Sequence, residues 1–225
     1  LCAKQVRPGS RAADIGTDHA LLPVYLVSNG VCPRVIAADL RPGPLAAAKR
    51  SVEAAGLSDK IPCRQGFGLD VLDENEADDI VVAGMGGELI AEIISRAPWV
   101  KSGAYRLILQ PMTKPQALRA RLFSEGFEIL REAAAREAGR LYTVITARYS
   151  GEKRGARGAE IYIGGLAGSF DENARLYLEQ QAKRLKTRLR GLERSGAPAA
   201  EAGRLKTIYE AVRRAAQAGK GGNER

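Results

Sequence analysis

The sequence predicts an α/β fold in which a doubly wound parallel sheet is followed by an antiparallel helical hairpin, and three observations carry that expectation. Short apolar segments in the first 110 residues are each followed by a helical pattern, which favours parallel pairing with helices on both faces of a sheet. The segments end in glycine- or acid-bearing loops, and in an open α/β sheet such loops gather in one crevice at the carboxyl edge. Farther along, Leu178, Ala182, Leu185, Leu189 and Leu192 step by four and three, the seam of a paired helix.

The elements follow in order. Residues 12–23, AADIGTDHALLP, read as a strand running into a Gly16-Thr17 turn, and residues 34–40, RVIAADL, as a second strand ending in Asp39. Residues 61–65 lead into Gly66-Phe67-Gly68, residues 79–83 into Gly84-Met85-Gly86-Gly87, and residues 105–110 end at Gln110-Pro111. A helix over 119–126 precedes two strands, 128–136 and 141–149, joined by Ala138-Gly139-Arg140 as an antiparallel edge. Residues 151–168 form a boundary, with 160–163 a candidate last strand. In the second helix of the hairpin, Leu205, Ile208, Tyr209 and Val212 supply the matching stripe, and Ser195-Gly196-Ala197-Pro198 the turn, with Pro198 suited to a first helical turn. The expected domains are 1–165, 166–218 and a polar, disordered tail at 219–225.

The 12–23 loop carries the chemistry. Gly16 allows close backbone approach at a strand end, with Thr17 beside it at the start of a helix. The run is not G-x-G-x-x-G, which ranks a dehydrogenase last, and the flanking Asp14 and Asp18 disfavour a pyrophosphate. They suit a cationic ligand rich in hydroxyls, a description that S-adenosylmethionine meets; an ordinary strand-to-helix turn is the alternative. Asp39 lies 23 residues after Gly16, close to the interval of about 20 at which a carboxylate takes ribose hydroxyls. It also fits the cap of the next helix. Leu40, Gly66, Phe67, Gly84 and Met85 complete the candidate cofactor crevice, with Asp14 shaping the loop.

Charge is unevenly distributed. Residues 1–150 carry 19 Lys and Arg against 17 Asp and Glu, whereas residues 151–225 carry 16 against 9. That local excess favours a polyanion, with nucleic acid ahead of a membrane surface because the hairpin's apolar stripe is used in pairing. Lys183, Arg184, Lys186, Arg188, Arg190 and Arg194 cluster on the first arm as candidate RNA contacts, or as a solvated face. No apolar run suggests a membrane span and no leader is evident, so a cytoplasmic protein is expected. Cys2, Cys32 and Cys63 with a single His suggest neither disulfides nor a metal site. No protein partner is implied.

DIGTDHALLP, the GFGL turn at 66–69, VAGMGGELI at 82–90, LILQP at 107–111 and LYTVITA at 141–147 together resemble the bacterial tRNA (adenine(22)-N(1))-methyltransferase family over residues 1–150. The resemblance implies a Rossmann-like class I methyltransferase fold, S-adenosylmethionine as donor, tRNA as substrate and a basic C-terminal coiled coil that helps hold it. Two positions depart from the family pattern: Leu21 stands where many members have an aromatic, and Phe67 where a small polar residue contacts the cofactor adenine.

Under that reading adenine N1, which has a free lone pair, needs no strong base but becomes cationic on methylation. A carboxylate nearby stabilises that charge, and Asp18 is the first candidate, with His19 positioning the base or bonding the first helical turn. Gly84, Gly86 and Gly87 leave room for a flat base. Gln110 is either a base-edge contact or a buried amide, and Tyr142 reads as a core aromatic on an edge strand. The rival functions are a small-molecule methyltransferase dimerising through the hairpin, and a non-catalytic RNA-binding protein.

Overall fold

The computed structural model describes residues 1–155 and 158–218; the expected disordered tail lies outside the described residues. Seven strands form one sheet in the order β3-β2-β1-β4-β5-β7-β6. They are β1 (Ala12–Ile15), β2 (Val35–Asp39), β3 (Cys63–Gln65), β4 (Asp79–Gly86), β5 (Arg106–Thr113), β6 (Phe127–Glu137) and β7 (Arg140–Tyr149). The first five run parallel, and β7 pairs antiparallel with both β5 and β6. The chain reverses direction from β1, first outward to β2 and β3 and then across to β4, so the carboxyl ends of β1 and β4 flank a natural crevice.

Strand alternation divides the core between the two faces. Ala13, Ile15, Ile80, Val82, Leu107 and Leu109 pack with Ile90, Ile93 and Ile94 of α3 (Gly87–Ser95) and Leu118 and Leu122 of α4 (Pro115–Glu125). The intervening Ala12, Val35, Ala37, Val81 and Ile108 pack with Leu26 of α1 (Leu21–Ser28) and Ala48 and Val52 of α2 (Pro42–Ala54). Burying both faces explains why these strands read as continuous apolar runs. Each fully buried aliphatic side chain contributes about 1.5–3 kcal/mol.

The C-terminal third contains α5 (Glu160–Ile163), α6 (Glu172–Arg194) and α7 (Ala199–Ala218). Asp171 caps α6, its Oδ1 accepting from Ala174 N at 2.9 Å. The heptad seam closes within the chain: Ala182, Leu185 and Leu189 pack against Leu205 and Val212, with Leu192, Ile208 and Tyr209 at the margin. Leu178 instead packs at the junction with β6, beside Ala134, Tyr177 and Ala216.

Several expectations are corrected. Residues 160–163 form a helical turn rather than a strand, because Tyr162 and Ile163 turn into the hairpin core and Gly164, at φ +58°, ends the turn. Residues 84–86 belong to β4, not to a loop, and β5 continues through Pro111 to Thr113. Register shifts around Met85 let the two strands stay paired past those residues. Pro198 stands just before α7 instead of in its first turn, its carbonyl accepting from Glu201 N and Ala202 N.

Gly164-Gly165, expected as a boundary, is a close-packing device. A Cβ at Gly164 would overlap Glu132 Oε2, and Gly165 N donates to that oxygen at 2.9 Å. Glu132 pairs with Arg119, and both side chains are 0% exposed. Arg119 also donates to Ile161 O at 2.7 Å and to Tyr177 Oη at 3.3 Å, while Thr143 donates to Glu132. Burial works against the Arg119 charge, but Glu132 and Tyr177 outweigh it and hold the guanidinium above its ordinary pKa. This network fastens α5 and α6 to the sheet edge.

Candidate active site

The β1–α1 loop is built by an unusual backbone. Gly16 takes φ +79°, a backbone conformation that favours glycine, and the end of the Met85 side chain lies in the space a Cβ would occupy. His19 and Ala20 also adopt left-handed conformations, at φ 55° and 51°. Such strain, of order 1–3 kcal/mol per residue, clusters at functional sites. Here it turns the chain sharply into α1, whose Leu21 and Tyr25, one helical turn apart, are 71% and 53% exposed and face the crevice.

The crevice has two lobes that share Gly16, Asp39, Arg41 and Met85. The narrower, about 230 Å³, is lined by Leu40, Gly66, Phe67, Leu89 and Ile93, an apolar slot suited to a flat ring. The wider and more open, about 920 Å³, is lined by Asp14, Asp18, Leu21, Tyr25, Gly84, Gln110, Met112 and Glu137, together with residues 1–4. Asp39 stands between them, 6% exposed. Its Oδ1 accepts from Arg41 N at 2.7 Å, and Arg41 Nε lies 3.6 Å away. Asp14 is buried beside it. Burial pushes the Asp14 carboxyl up to about 6, the Thr17 hydroxyl opposing the shift and the Asp39 charge adding to it.

The structure brings most of the expected residues together. Asp14, Gly16, Asp18, Asp39, Leu40, Gly66, Phe67, Gly84 and Met85 all line the crevice. Thr17 does not. It is 1% exposed, its hydroxyl lacks a hydrogen bond of good geometry, and its N–H and that of Gly16 both donate to Ala38 O at 2.8 Å. Asp18 is 81% exposed at the rim, with its carboxylate 3.5 Å from His19 Nε2; the His19 ring points to solvent and is not part of the crevice wall.

Phe67 lies under the Arg96 guanidinium, 4.7 Å from the ring centroid, which fixes the ring at the slot wall. Gln110 Oε1 accepts from Gly84 N at 2.8 Å, so this amide holds the bulged strand open at the crevice. Only Gly84 of the glycine trio leaves space there. A Cβ at Gly87 would press on the Lys114 carbonyl, and one at Gly86 on Thr113 Oγ1 at 3.3 Å, so those two serve packing. The six cations, Lys183 through Arg194, are all exposed on α6. Sequence reasoning missed Tyr25, Met112 and Glu137. The spacing of Leu21 and Tyr25 after the loop was a readable signal for the first, whereas the other two depend on how far β5 and β6 extend.

An acid at the end of β2, a glycine-tight β1–α1 loop and an apolar slot beside them define a methyltransferase of the doubly wound class, and residues 1–145 match the family described as "Methyltransferase domain". Over 168 residues the chain is 39% identical to the tRNA (adenine(22)-N(1))-methyltransferase of Bacillus subtilis strain 168, covering 75% of this chain and 71% of that protein. The crystal structure of the B. subtilis M1A22 tRNA methyltransferase TrmK aligns at a TM-score of 0.81 and 31% identity, over 96% of this chain and 95% of that one. Streptococcus pneumoniae Sp1610 in complex with S-adenosyl-L-methionine aligns at 0.81 and 29%, over 96% of each chain. The chain belongs to the tRNA (adenine(22)-N(1))-methyltransferase family.

Proposed function

We propose that this chain methylates N1 of adenine 22 in tRNA, with S-adenosylmethionine as donor. The observation that carries the reading is the two-lobed crevice: a narrow apolar slot joined, at Met85 and Asp39, to a wide lobe with room for a macromolecular substrate. The residues present fit the donor. Asp39 spends one oxygen on the Arg41 amide and keeps the other for ribose hydroxyls. Leu40, Phe67, Leu89 and Ile93 would hold a flat purine, and Gly16, which lines both lobes beside Met85, would lie along the chain that joins ribose to sulfur. The buried carboxyl of Asp14 favours a cationic neighbour. When bound, S-adenosylmethionine supplies an electrophilic methyl group on a sulfonium.

The chain's remaining task is positioning. The wide lobe would hold the base with its N1 edge toward the slot, so that the chain supplies the orientation that methyl transfer needs. Gly84, held back by Gln110, leaves the plane of the base free. Asp18 at the rim stabilises the positive charge that develops on the ring, and His19 orients that carboxylate. N1 lies on the pairing edge, so the base enters unpaired at a cost of a few kcal/mol. Phosphate contacts from Lys183, Arg184, Lys186, Arg188, Arg190 and Arg194 offset it.

In this division residues 1–165 are the catalytic domain and residues 166–218 the tRNA-holding hairpin. Because the hairpin seam is satisfied within the chain, it is not the open apolar face that a dimerising small-molecule enzyme would present. A tRNA substrate also places the enzyme in the cytoplasm; among the described residues no helix is long and apolar enough to cross a membrane. Transfer of labelled methyl to unmodified tRNA across a salt series tests the reading. Incorporation that falls steeply with salt supports it, and salt-insensitive transfer to small acceptors alone overturns it.

A further inference from the structure

The β6–β7 hairpin is longer than the sheet needs. β5 pairs with β7 only from Leu107↔Ala147 to Leu109↔Ile145, whereas β6 and β7 stay paired as far as Glu137↔Arg140. Residues 144 back to 140 of β7 part from β5, whose own residues 110–113 stay paired with β4, and run on toward the carboxyl edge of the sheet, which carries the crevice. At about 3.4 Å per residue this stretch free of β5, the overhang of the hairpin, is about 17 Å long. Ala138 and Gly139, at φ 45° and 76°, close it with a two-residue turn of the type that keeps strands in register.

One face of the overhang is backed by α6 and α7, through Ala134 and Leu141 against Tyr177, Leu178 and Ala216. The other face turns toward the crevice, and Glu137 lines the wide lobe with Asp18, Gly84 and Gln110. At the tip, Arg140 is exposed on the crevice face, opposite Glu137, and Arg136 is exposed on the other face, opposite Leu141, and neither guanidinium has a hydrogen bond or ion pair with a described residue. Two unpaired guanidiniums on a rigid arm beside an open crevice match a phosphodiester strand, since the planar fork binds phosphate in a bidentate manner.

We propose that the β6–β7 overhang is an RNA-gripping arm, in which Arg140 holds a phosphate beside the nucleotide that enters the wide lobe next to Glu137, and Arg136, on the other face of the tip, holds a phosphate farther along the strand. This rests on the tRNA reading above. The arm sets register at the crevice, whereas the cations of α6 supply affinity away from it.

The test is tRNA binding by the full chain and by Arg136→Ala/Arg140→Ala between about 50 and 200 mM salt, with cofactor binding measured by calorimetry. Each lost phosphate contact lowers the slope of log K against log salt by about 0.7–0.9, so the affinity lost across that range is roughly tenfold smaller for the double variant. Its cofactor affinity stays at the parent value, and Arg136→Lys/Arg140→Lys restores the slope. Tight, salt-sensitive binding by the parent with an unchanged slope in the double variant overturns the arm alone. Failure of the parent to bind tRNA overturns the tRNA reading and the arm together. Loss of cofactor binding in the double variant makes the arm a structural wall and also overturns the proposal.

Discussion

Replacing Glu132 with Ala strips the counter-charge from Arg119 at a place that water does not reach, since both side chains are 0% exposed. The guanidinium keeps only Ile161 O and the Tyr177 hydroxyl as neutral partners, and Gly165 N loses its acceptor. Breaking a buried ion pair in this one-sided way costs about 3–5 kcal/mol. For a chain of this size about 1 kcal/mol corresponds to 2–4 °C. Thermal unfolding followed by circular dichroism is therefore expected to show a fall in Tm of roughly 6–20 °C. Removing both charges, as Arg119→Met with Glu132→Leu, recovers most of that loss, because a buried pair contributes little net stability against an apolar replacement. A fall in Tm of less than about 2 °C for Glu132→Ala, or a double variant no more stable than the single one, would mean that Glu132 does not compensate the Arg119 charge.

Other outcomes follow from the crevice. Asp14 has its folded-state pKa raised to about 6 from 3.8, so the folded chain binds the proton more tightly and loses stability as pH rises between those values. Asp14→Asn is then expected to stabilise the free chain at pH 8, by up to about 3 kcal/mol, and to have no effect below about pH 4, read from denaturant midpoints at each pH. Gly16→Ala forces a side chain into left-handed backbone, which is expected to cost about 1–2 kcal/mol of stability, and pushes the Met85 methyl into the crevice, which is expected to weaken cofactor binding; an unchanged denaturant midpoint with unchanged calorimetric affinity contradicts both. Asp18→Asn is expected to cut turnover by roughly one to three orders of magnitude while cofactor affinity persists, and equal turnover removes Asp18 from the mechanism.

What the sequence made legible was the part governed by local rules. The apolar runs ending at Ile15, Asp39 and Val82, with the glycine and acids after them, located the crevice, because strand period and turn chemistry act over a few residues. The Leu seam located the hairpin for the same reason. The misreadings involve distant partners. Residues 160–163, EIYI, look like a strand until the hairpin core claims Tyr162 and Ile163. Thr17 looks like a cofactor contact until its amide is found on Ala38 O, and Gly86 and Gly87 look like room for a base until β5 is seen to extend to Thr113. Glu137 reaches the crevice only because β6 and β7 stay paired beyond the point where β7 leaves β5, a length that no local pattern encodes.

Nucleoside mass spectrometry of a tRNA transcript incubated with the chain and S-adenosylmethionine shows which atom of which nucleotide this crevice methylates. The expected product is 1-methyladenosine at position 22, absent when that adenine is replaced by guanine. Methylation at any other atom or position, or undiminished methylation of the replaced transcript, contradicts the proposed function.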